Sequence, residues 1–177
     1  MIRINKAQFY FSFFIIQLFV VGCLNTSNTD SNMIQISGQI INPVLDNVKF
    51  ESTDSTFTVE LTKDGNFTFS FTSDSSLYLS LSHGEYTSMY VMPGDIIELS
   101  INTEEFDESV NYNGSEASNF LARKYLIYEQ FNFYSKDYFL GSSEEYMLAL
   151  SEYKSSIFQY SNSISDTAFI NQQSDEI

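Results

Sequence analysis

The spacing of apolar residues changes twice along this chain of 177 residues. A mostly apolar stretch occupies residues 9–21. Residues 33–101 then alternate apolar with polar positions, which is typical of strands with one buried face. Between residues 115 and 164 the apolar positions recur at intervals of three and four, as in amphipathic helices. The pattern therefore predicts a leader, a β domain (residues 33–112) and a helical region (residues 113–164), in that order.

The β domain is predicted to contain six or seven short antiparallel strands. Its first strand carries Ile34, Ile36 and Ile40 around Gly38, and a strand with Val48 and Phe50 follows. Turn signals recur at short, regular intervals, and no helical crossover separates the strands. We therefore predict a mainly β fold with a helical appendage, an antiparallel sandwich or barrel, and exclude a parallel α/β fold.

Two hairpins are predicted inside this domain. The first pairs Phe57–Leu61 with Phe67–Phe71 across Lys63–Asn66, and the second pairs Leu77–Leu81 with Tyr86–Met92 across Ser82–Glu85. Asp64-Gly65 in the first turn supplies the positive φ angles that tight hairpin turns need. After the second hairpin, Pro93-Gly94-Asp95 turns the chain into a last strong strand with Ile97, Leu99 and Ile101 on one face.

The helical region is predicted to form two antiparallel amphipathic helices. Ser115 is the expected N-cap of the first helix, and Ser142 with Glu145 fits a capping box for the second. The predicted stripes are Phe120, Ile127, Phe131 and Tyr134, widened by Leu121, Tyr125 and Tyr128, and then Tyr146, Leu150, Tyr153, Ile157, Tyr160 and Ile164. Such a pair packs on itself or on the sheet, or binds a partner. Residues 165–177 show no closing element and are expected to be the C-terminal tail of a truncated chain.

The leader has the layout of a bacterial export signal. Arg3 and Lys6 precede the apolar stretch, whose thirteen residues are too few to cross a bilayer. Val20-Val21-Gly22-Cys23 resembles a lipobox, which implies cleavage before Cys23 after its thiol has received a diacylglyceryl group. Residues 1–22 are the expected signal peptide and residues 23–32 a polar tether. An uncleaved membrane helix with an incidental cysteine is the alternative.

Cys23 is the only cysteine in the chain. If its sulfur carries a lipid, the mature protein has no free thiol, no possible disulfide and no thiolate metal site. Two or three acyl chains anchor a protein firmly, because each buried methylene contributes about 0.8 kcal/mol. The expected location is the cell envelope, lipid-anchored and facing the periplasm, at either the inner or the outer membrane.

The charge balance excludes one class of partner. The net charge is −15, and it becomes −17 when residues 1–22 leave with Arg3 and Lys6. Such a surface repels polyanions, and the remaining basic residues are scattered, so we expect no nucleic-acid partner. The acidic surface favours solubility of an exported domain, and in principle it could attract calcium or basic partners.

Residues 90–126 resemble a known family. The run YVMPGDIIELSI, followed by FDESVNYNGSEASNFLARKYL, is similar to the N-terminal domain of bacterial TlpA-like thioredoxin-family lipoproteins. The shared features are a PGD turn, an amphipathic strand, a Y-x-G and an Asn-rich entry to a helix. With the lipobox and hairpins, the resemblance covers most of residues 1–165. It implies a β-sandwich and helical connector that precede a thioredoxin-fold domain, which reduces disulfides in exported proteins.

The chain also departs from that family. Thiol–disulfide exchange needs a nucleophilic and a resolving thiol, usually in Cys-x-x-Cys at a helix start. This chain has one cysteine and ends where the thioredoxin domain would begin, so no catalytic residue carries over.

Other chemistry is not indicated. His83 lies in a predicted turn with no second histidine, and we expect it to be exposed. The acidic run Glu104–Glu108 lacks the pattern of a calcium loop and is expected to be a solvated connection. No phosphate loop or nucleophile elbow is present, so we predict no cofactor, metal or catalytic site.

Two hypotheses for function remain. The first is a non-catalytic, membrane-tethered module of a TlpA-like thiol–disulfide oxidoreductase, whose partners are the membrane, through Cys23, and a thioredoxin-like domain or exported protein substrate. The alternative is a stand-alone extracytoplasmic lipoprotein that binds a peptide, glycan or protein partner through an aromatic-rich β-sandwich. The absence of Trp counts against a glycan. Exposure decides between a core and an aromatic platform: if Tyr78, Tyr86 and Tyr90 are buried, the platform hypothesis fails.

Overall fold

The computed structural model describes residues 31–133, 135, 140–162 and 164–176. Within these ranges, eight strands are followed by a helical region. The strands are β1 Met33–Ile41, β2 Asn47–Glu51, β3 Thr56–Glu60, β4 Asn66–Thr72, β5 Leu77–His83, β6 Glu85–Val91, β7 Ile96–Asn102 and β8 Asn111–Asn113. The helices are α1 Phe106–Ser109, α2 Glu116–Phe131, α3 Ser143–Ser161 and α4 Thr167–Glu176, and a 3-10 turn at Thr103–Glu105 precedes α1.

The strands form two four-stranded sheets. Sheet I has the order β4-β1-β7-β8, and sheet II has the order β3-β2-β5-β6. Sheet II is antiparallel throughout, whereas β1 and β7 run parallel in the middle of sheet I. The predicted β fold with a helical appendage is confirmed as an open arrangement of two sheets and not a closed barrel. The prediction of only antiparallel pairs was wrong for β1 and β7.

Strand alternation builds the main core between the sheets. Buried and more exposed residues alternate along β1, β5, β6 and β7, apart from Gly38, Leu77 and Tyr90. The core includes Ile34, Ile36, Ile40, Val48, Phe50, Leu79, Leu81, Met89, Val91, Ile97, Leu99 and Ile101. Burying each such side chain contributes about 1.5–3 kcal/mol relative to leaving it in water. Burial of the alternate apolar side chains therefore determines which face of each strand points inward.

The first predicted hairpin does not form. β3 pairs with β2 in sheet II and β4 pairs with β1 in sheet I, so the two phenylalanine faces meet across the sandwich. Phe57 lies 5.7 Å from Phe69 and 5.0 Å from Phe71, measured between ring centroids. Of the turn residues only Gly65 has a positive φ (75°), and its carbonyl accepts a hydrogen bond from the Ile40 amide. The turn therefore carries the chain from one sheet to the other.

The second predicted hairpin is confirmed, with Leu77 opposite Val91 and His83 opposite Glu85. The expectation that His83 is exposed was wrong, because its side chain is only 1% exposed. Its Nδ1–H donates to the Asn47 carbonyl (2.9 Å), and Nε2 accepts from the Val44 amide (3.0 Å). His83 lies on the inward face because the alternation of Leu79 and Leu81 continues to it. Through these two hydrogen bonds the His83 ring fixes the segment between β1 and β2 to the end of β5.

Both predicted helix caps are confirmed. The Ser115 hydroxyl accepts from the Ser118 amide at the start of α2. At the start of α3, Ser142 and Glu145 form a reciprocal capping box, with bonds of 3.2 and 2.9 Å. Tyr134, the last residue of the first predicted stripe, lies outside the described residues.

A second core lies between the helices and the outer face of sheet II. It contains Tyr90, Ala117, Phe120, Ile127, Ile157 and Phe169. Ile157 and Phe169 are fully buried. The sequence pattern shows no closing element in residues 165–177, but helix α4 occupies most of this segment and covers part of sheet II through Phe169.

Candidate functional site

The predicted lipidation site and its lipobox precede the residues that the structure describes. Cys23 and the lipobox residues Val20, Val21 and Gly22 lie outside the described residues. Among the residues that are described, no helix is long and apolar enough to cross a membrane. Lipidation of Cys23 therefore stays a prediction from the sequence.

Metal chemistry finds no support in the described part of the chain. There, no three or more His, Cys, Asp or Glu side chains come together in a group that could hold an ion. The acidic run Glu104–Glu108 forms the 3-10 turn and α1, and its carboxylates stay at least partly exposed. Phe106 within this run is buried in the main core, an anchoring role that the charge pattern concealed.

The segment that carries the family resemblance joins the two cores. The Ser118 hydroxyl accepts from the Tyr90 amide (3.0 Å) and donates to the Tyr90 carbonyl (2.9 Å). The Asn119 side chain makes the same two kinds of bond with the backbone of Tyr112, at 2.9 and 2.7 Å. Gly114 of the Y-x-G motif has φ of 93°, and a Cβ there would lie 2.4 Å from the Ile96 carbonyl. These motif residues hold α2 against the edges of both sheets.

The PGD turn is held by its aspartate. The Asp95 carboxylate accepts from the Met92 amide at 2.7 Å. Burial raises the pKa of Asp95, and the bond from Met92 opposes that shift. A cleft of about 620 Å³ lies beside this turn, but its lining includes Ser115 and Asn119, whose side chains are engaged in the bonds that join α2 to the sheets. We therefore assign this cleft a structural role.

A second cleft, of about 440 Å³, lies between the outer face of β5 and β6 and the helices α2, α3 and α4. We call it the tyrosine cleft. Five tyrosines line it: Tyr78, Tyr86, Tyr125, Tyr128 and Tyr153. The remaining lining residues are Thr87, Ser88, Leu121, Lys124, Gln172 and Gln173. Ring faces, amides and one ammonium group converge there, which is the composition of a binding site.

A hydrogen-bonded network closes the α4 side of the tyrosine cleft. The Lys124 ammonium donates to Gln173 Oε1 (2.8 Å), and Gln173 Nε2 donates to the Tyr78 hydroxyl (3.2 Å). The Tyr78 hydroxyl in turn donates to Gln172 Oε1 (3.2 Å). Gln173 is almost fully buried, so this network fixes α4 to α2 and β5.

The opposite side of the cleft is an outer rim of exposed rings and carboxylates. Tyr86 is 72% exposed and Tyr125 is 43% exposed. A hydrogen bond to the Glu129 carboxylate, with burial and the charges of Glu129 and Asp107, raises the pKa of Tyr125 to about 12. Burial, followed by repulsion from Glu129 and Glu85, raises the pKa of Asp107. The rim therefore carries a concentrated negative charge.

The three tyrosines on which the hypothesis of an aromatic platform depends differ in exposure. Tyr90 is only 6% exposed, and Phe169 of α4 packs on it with 4.8 Å between ring centroids. Tyr78 is partly buried beside the same ring, whereas Tyr86 is open to solvent. Helix α4 covers Tyr90 and part of Tyr78 but leaves Tyr86 open, so the three tyrosines do not form one continuous exposed platform. The exposed rings that line the tyrosine cleft are instead Tyr86 and Tyr125, which the sequence did not connect.

No protein-family model, curated protein or solved structure matches this chain significantly.

Proposed function

We propose that this protein is a lipid-anchored, periplasm-facing module that serves a thiol–disulfide oxidoreductase of the TlpA-like type without catalysing the exchange itself. The lipid on Cys23 tethers the fold to the membrane. A thioredoxin-like domain supplies the two thiols, because a single cysteine cannot both attack a disulfide and resolve the mixed disulfide. This chain then acts on the position or partners of that domain.

The observation that best supports this proposal is the structural role of residues 90–126. In the family that this segment resembles, it belongs to a sandwich that leads into a helical connector. Here its Tyr90–Ser118 and Tyr112–Asn119 bonds attach α2 rigidly to both sheets. Because residues of this segment make the contacts themselves, a chain that carries the segment is expected to place a helix against both sheets in the same way.

The redox role is tested by trapping free thiols in exported proteins. In a strain of the source organism lacking this gene, we expect exported dithiol proteins to shift towards their oxidised forms. The wild-type gene should reverse the shift, and so should the control Ser27→Ala. Cys23→Ser should fail to reverse it and should leave the membrane fraction. An unchanged thiol distribution in the deletion strain would overturn the redox role, and membrane attachment of Cys23→Ser would overturn the lipid anchor.

The second candidate function is binding of a partner by a stand-alone lipoprotein. The observation in its favour is the tyrosine cleft, whose rim exposes two aromatic rings beside acidic side chains. Exposed aromatic clusters in concave sites commonly mark binding surfaces. The two functions are compatible, since a module that positions an oxidoreductase can also hold its substrate.

A further inference from the structure

We propose that the outer rim of the tyrosine cleft binds a lysine or arginine side chain of an extended polypeptide segment. This assignment rests on the second candidate function and names its site and the class of its ligand. Three features carry it: the exposed ring faces, the uncompensated carboxylates and the direction of the β6 backbone.

The two rings of the rim come from different elements and face the same opening. Tyr86 extends from the outer face of β6, and Tyr125 extends from α2, which packs along that strand. Both rings are substantially exposed, so their faces are accessible to a ligand. Cations are attracted to the negative faces of tyrosine rings, and cages of several aromatic rings recognise ammonium groups.

Among the residues that the structure describes, none of the carboxylates around these rings forms a salt bridge. Glu85 directly precedes Tyr86, Glu129 follows Tyr125 by one helical turn, and Asp107 lies on α1 against α2. The salt bridge found in the described residues lies elsewhere, between Lys49 and Glu51 on β2. The ammonium of Lys124 is directed to Gln173 on the α4 side of the cleft. A cationic side chain at the rim would offset the mutual repulsion of these acids.

The end of the β6 edge at Tyr86 suits an extended backbone, because the rest of that edge is covered by α2 and Tyr112. The Tyr90 amide bonds to Ser118 and the Ser88 carbonyl accepts from the Tyr112 hydroxyl, so alternate residues of β6 direct their backbone groups away from β5. By the same alternation the N–H and C=O of Tyr86, a residue that lines the cleft, point away from β5. Adding a strand to such an edge is a common way of binding peptides, with side-chain pockets supplying specificity.

A polypeptide fits these features better than a glycan. A neutral sugar can stack on tyrosine, but it gains little from a cluster of carboxylates. The amides that would best recognise sugar hydroxyls, Gln172 and Gln173, lie at the other side of the cleft and are engaged with Tyr78. Charge complementarity therefore favours a basic segment at the rim.

The test is a titration of the full chain in neutral detergent micelles, with its tyrosine rings labelled with ¹³C for NMR. The probe is the peptide acetyl-Gly-Ser-Arg-Ser-Gly-amide, and its matched control has citrulline, which is neutral but nearly the same shape, in place of arginine. Signals of Tyr86 and Tyr125 are assigned from their disappearance in Tyr86→Leu and Tyr125→Leu. We expect the arginine peptide to shift both signals and the citrulline peptide to shift them at least about five-fold more weakly.

Charge variants provide the second measurement. Glu129→Gln should weaken binding of the arginine peptide by about three- to ten-fold, whereas Glu60→Gln, an exposed change on β3, should leave it unchanged. Equal shifts with both peptides, or no shift of either rim signal, would overturn the proposal. A shift with chitotriose but not with the arginine peptide would also overturn it and would assign the cleft to glycans. None of these outcomes bears on thiol trapping, so failure here is distinguishable from failure of the redox role.

Discussion

Phe169→Ala is the most informative single substitution, because it removes the ring that holds α4 on the sheet. Phe169 is fully buried, and its centroid lies 4.8 Å from that of Tyr90 and 5.7 Å from that of Phe120. Truncating a buried phenylalanine costs about 3–5 kcal/mol. Helix α4 has ten residues, and an isolated helix of that length is marginal in water. The loss should therefore exceed what the remaining contacts of α4 provide, and the helix should undock.

Undocking limits the effect on global stability and concentrates it locally. We expect backbone amides of residues 167–176 to lose their protection from hydrogen exchange, while amides of β1 and β7 keep theirs. The free energy of unfolding, measured by urea titration, should fall by no more than the docking free energy of α4. The matched control is Phe158→Ala, whose ring is 43% exposed and whose loss should cost less than about 1 kcal/mol. Wild-type protection of α4 in Phe169→Ala would refute the packing described here.

Three further substitutions test the β domain, each by urea unfolding. Gly65→Ala should destabilise by about 2 kcal/mol or more, because its Cβ would lie 2.0 Å from the Ile40 carbonyl oxygen at a φ of 75°; a loss below 0.5 kcal/mol, on the order of an ordinary surface change, would contradict this. His83→Ala leaves buried backbone groups without a partner and should cost about 2–4 kcal/mol; a cost below about 0.5 kcal/mol, as for a surface side chain, would contradict its burial. Tyr112→Phe should cost about 1 kcal/mol at pH 7. Burial raises the pKa of Tyr112, so above about pH 10 the unfolded phenol loses its proton first and wild-type stability falls. The variant should lose less stability with rising pH than the wild type, and equal slopes would exclude Tyr112 as the cause.

Local signals in the sequence predicted local structure correctly. Ser115, Ser142 and Glu145 cap helices because capping depends on residues within one turn of each other. Strand faces were also predictable, since the period of two depends only on which side is buried. The failures concern which strand pairs with which. Phe57 and Phe69 sit in adjacent strands along the chain, yet alternation cannot distinguish two strands paired edge to edge from two strands packed face to face.

The tyrosine cleft was not predictable for a related reason. Its walls come from β5, β6 and the three helices α2, α3 and α4, and no pattern within any one of these elements shows that they meet. The outward tyrosines of β5 and β6 were visible as an alternating set, but their cover was not. Helix α4 carries few apolar residues, mainly Phe169 and Ile170, so it shows no stripe that would have identified it as a helix that packs.

The division of the tyrosine cleft between two sides connects the stability and binding experiments. Tyr86, Tyr125 and Glu129 belong to β6 and α2, which are held together by the Tyr90–Ser118 bonds and do not depend on α4. Gln172 and Gln173 belong to α4 and leave the cleft when it undocks. Phe169→Ala should therefore keep most of its affinity for the arginine peptide, within about three-fold of wild type, if the basic side chain binds only at the rim. A ligand that uses the amides of α4 would lose its site in the same variant. If Phe169→Ala loses both the hydrogen-exchange protection of α4 and its binding of the arginine peptide, the binding site lies on the α4 side of the cleft and not at the rim.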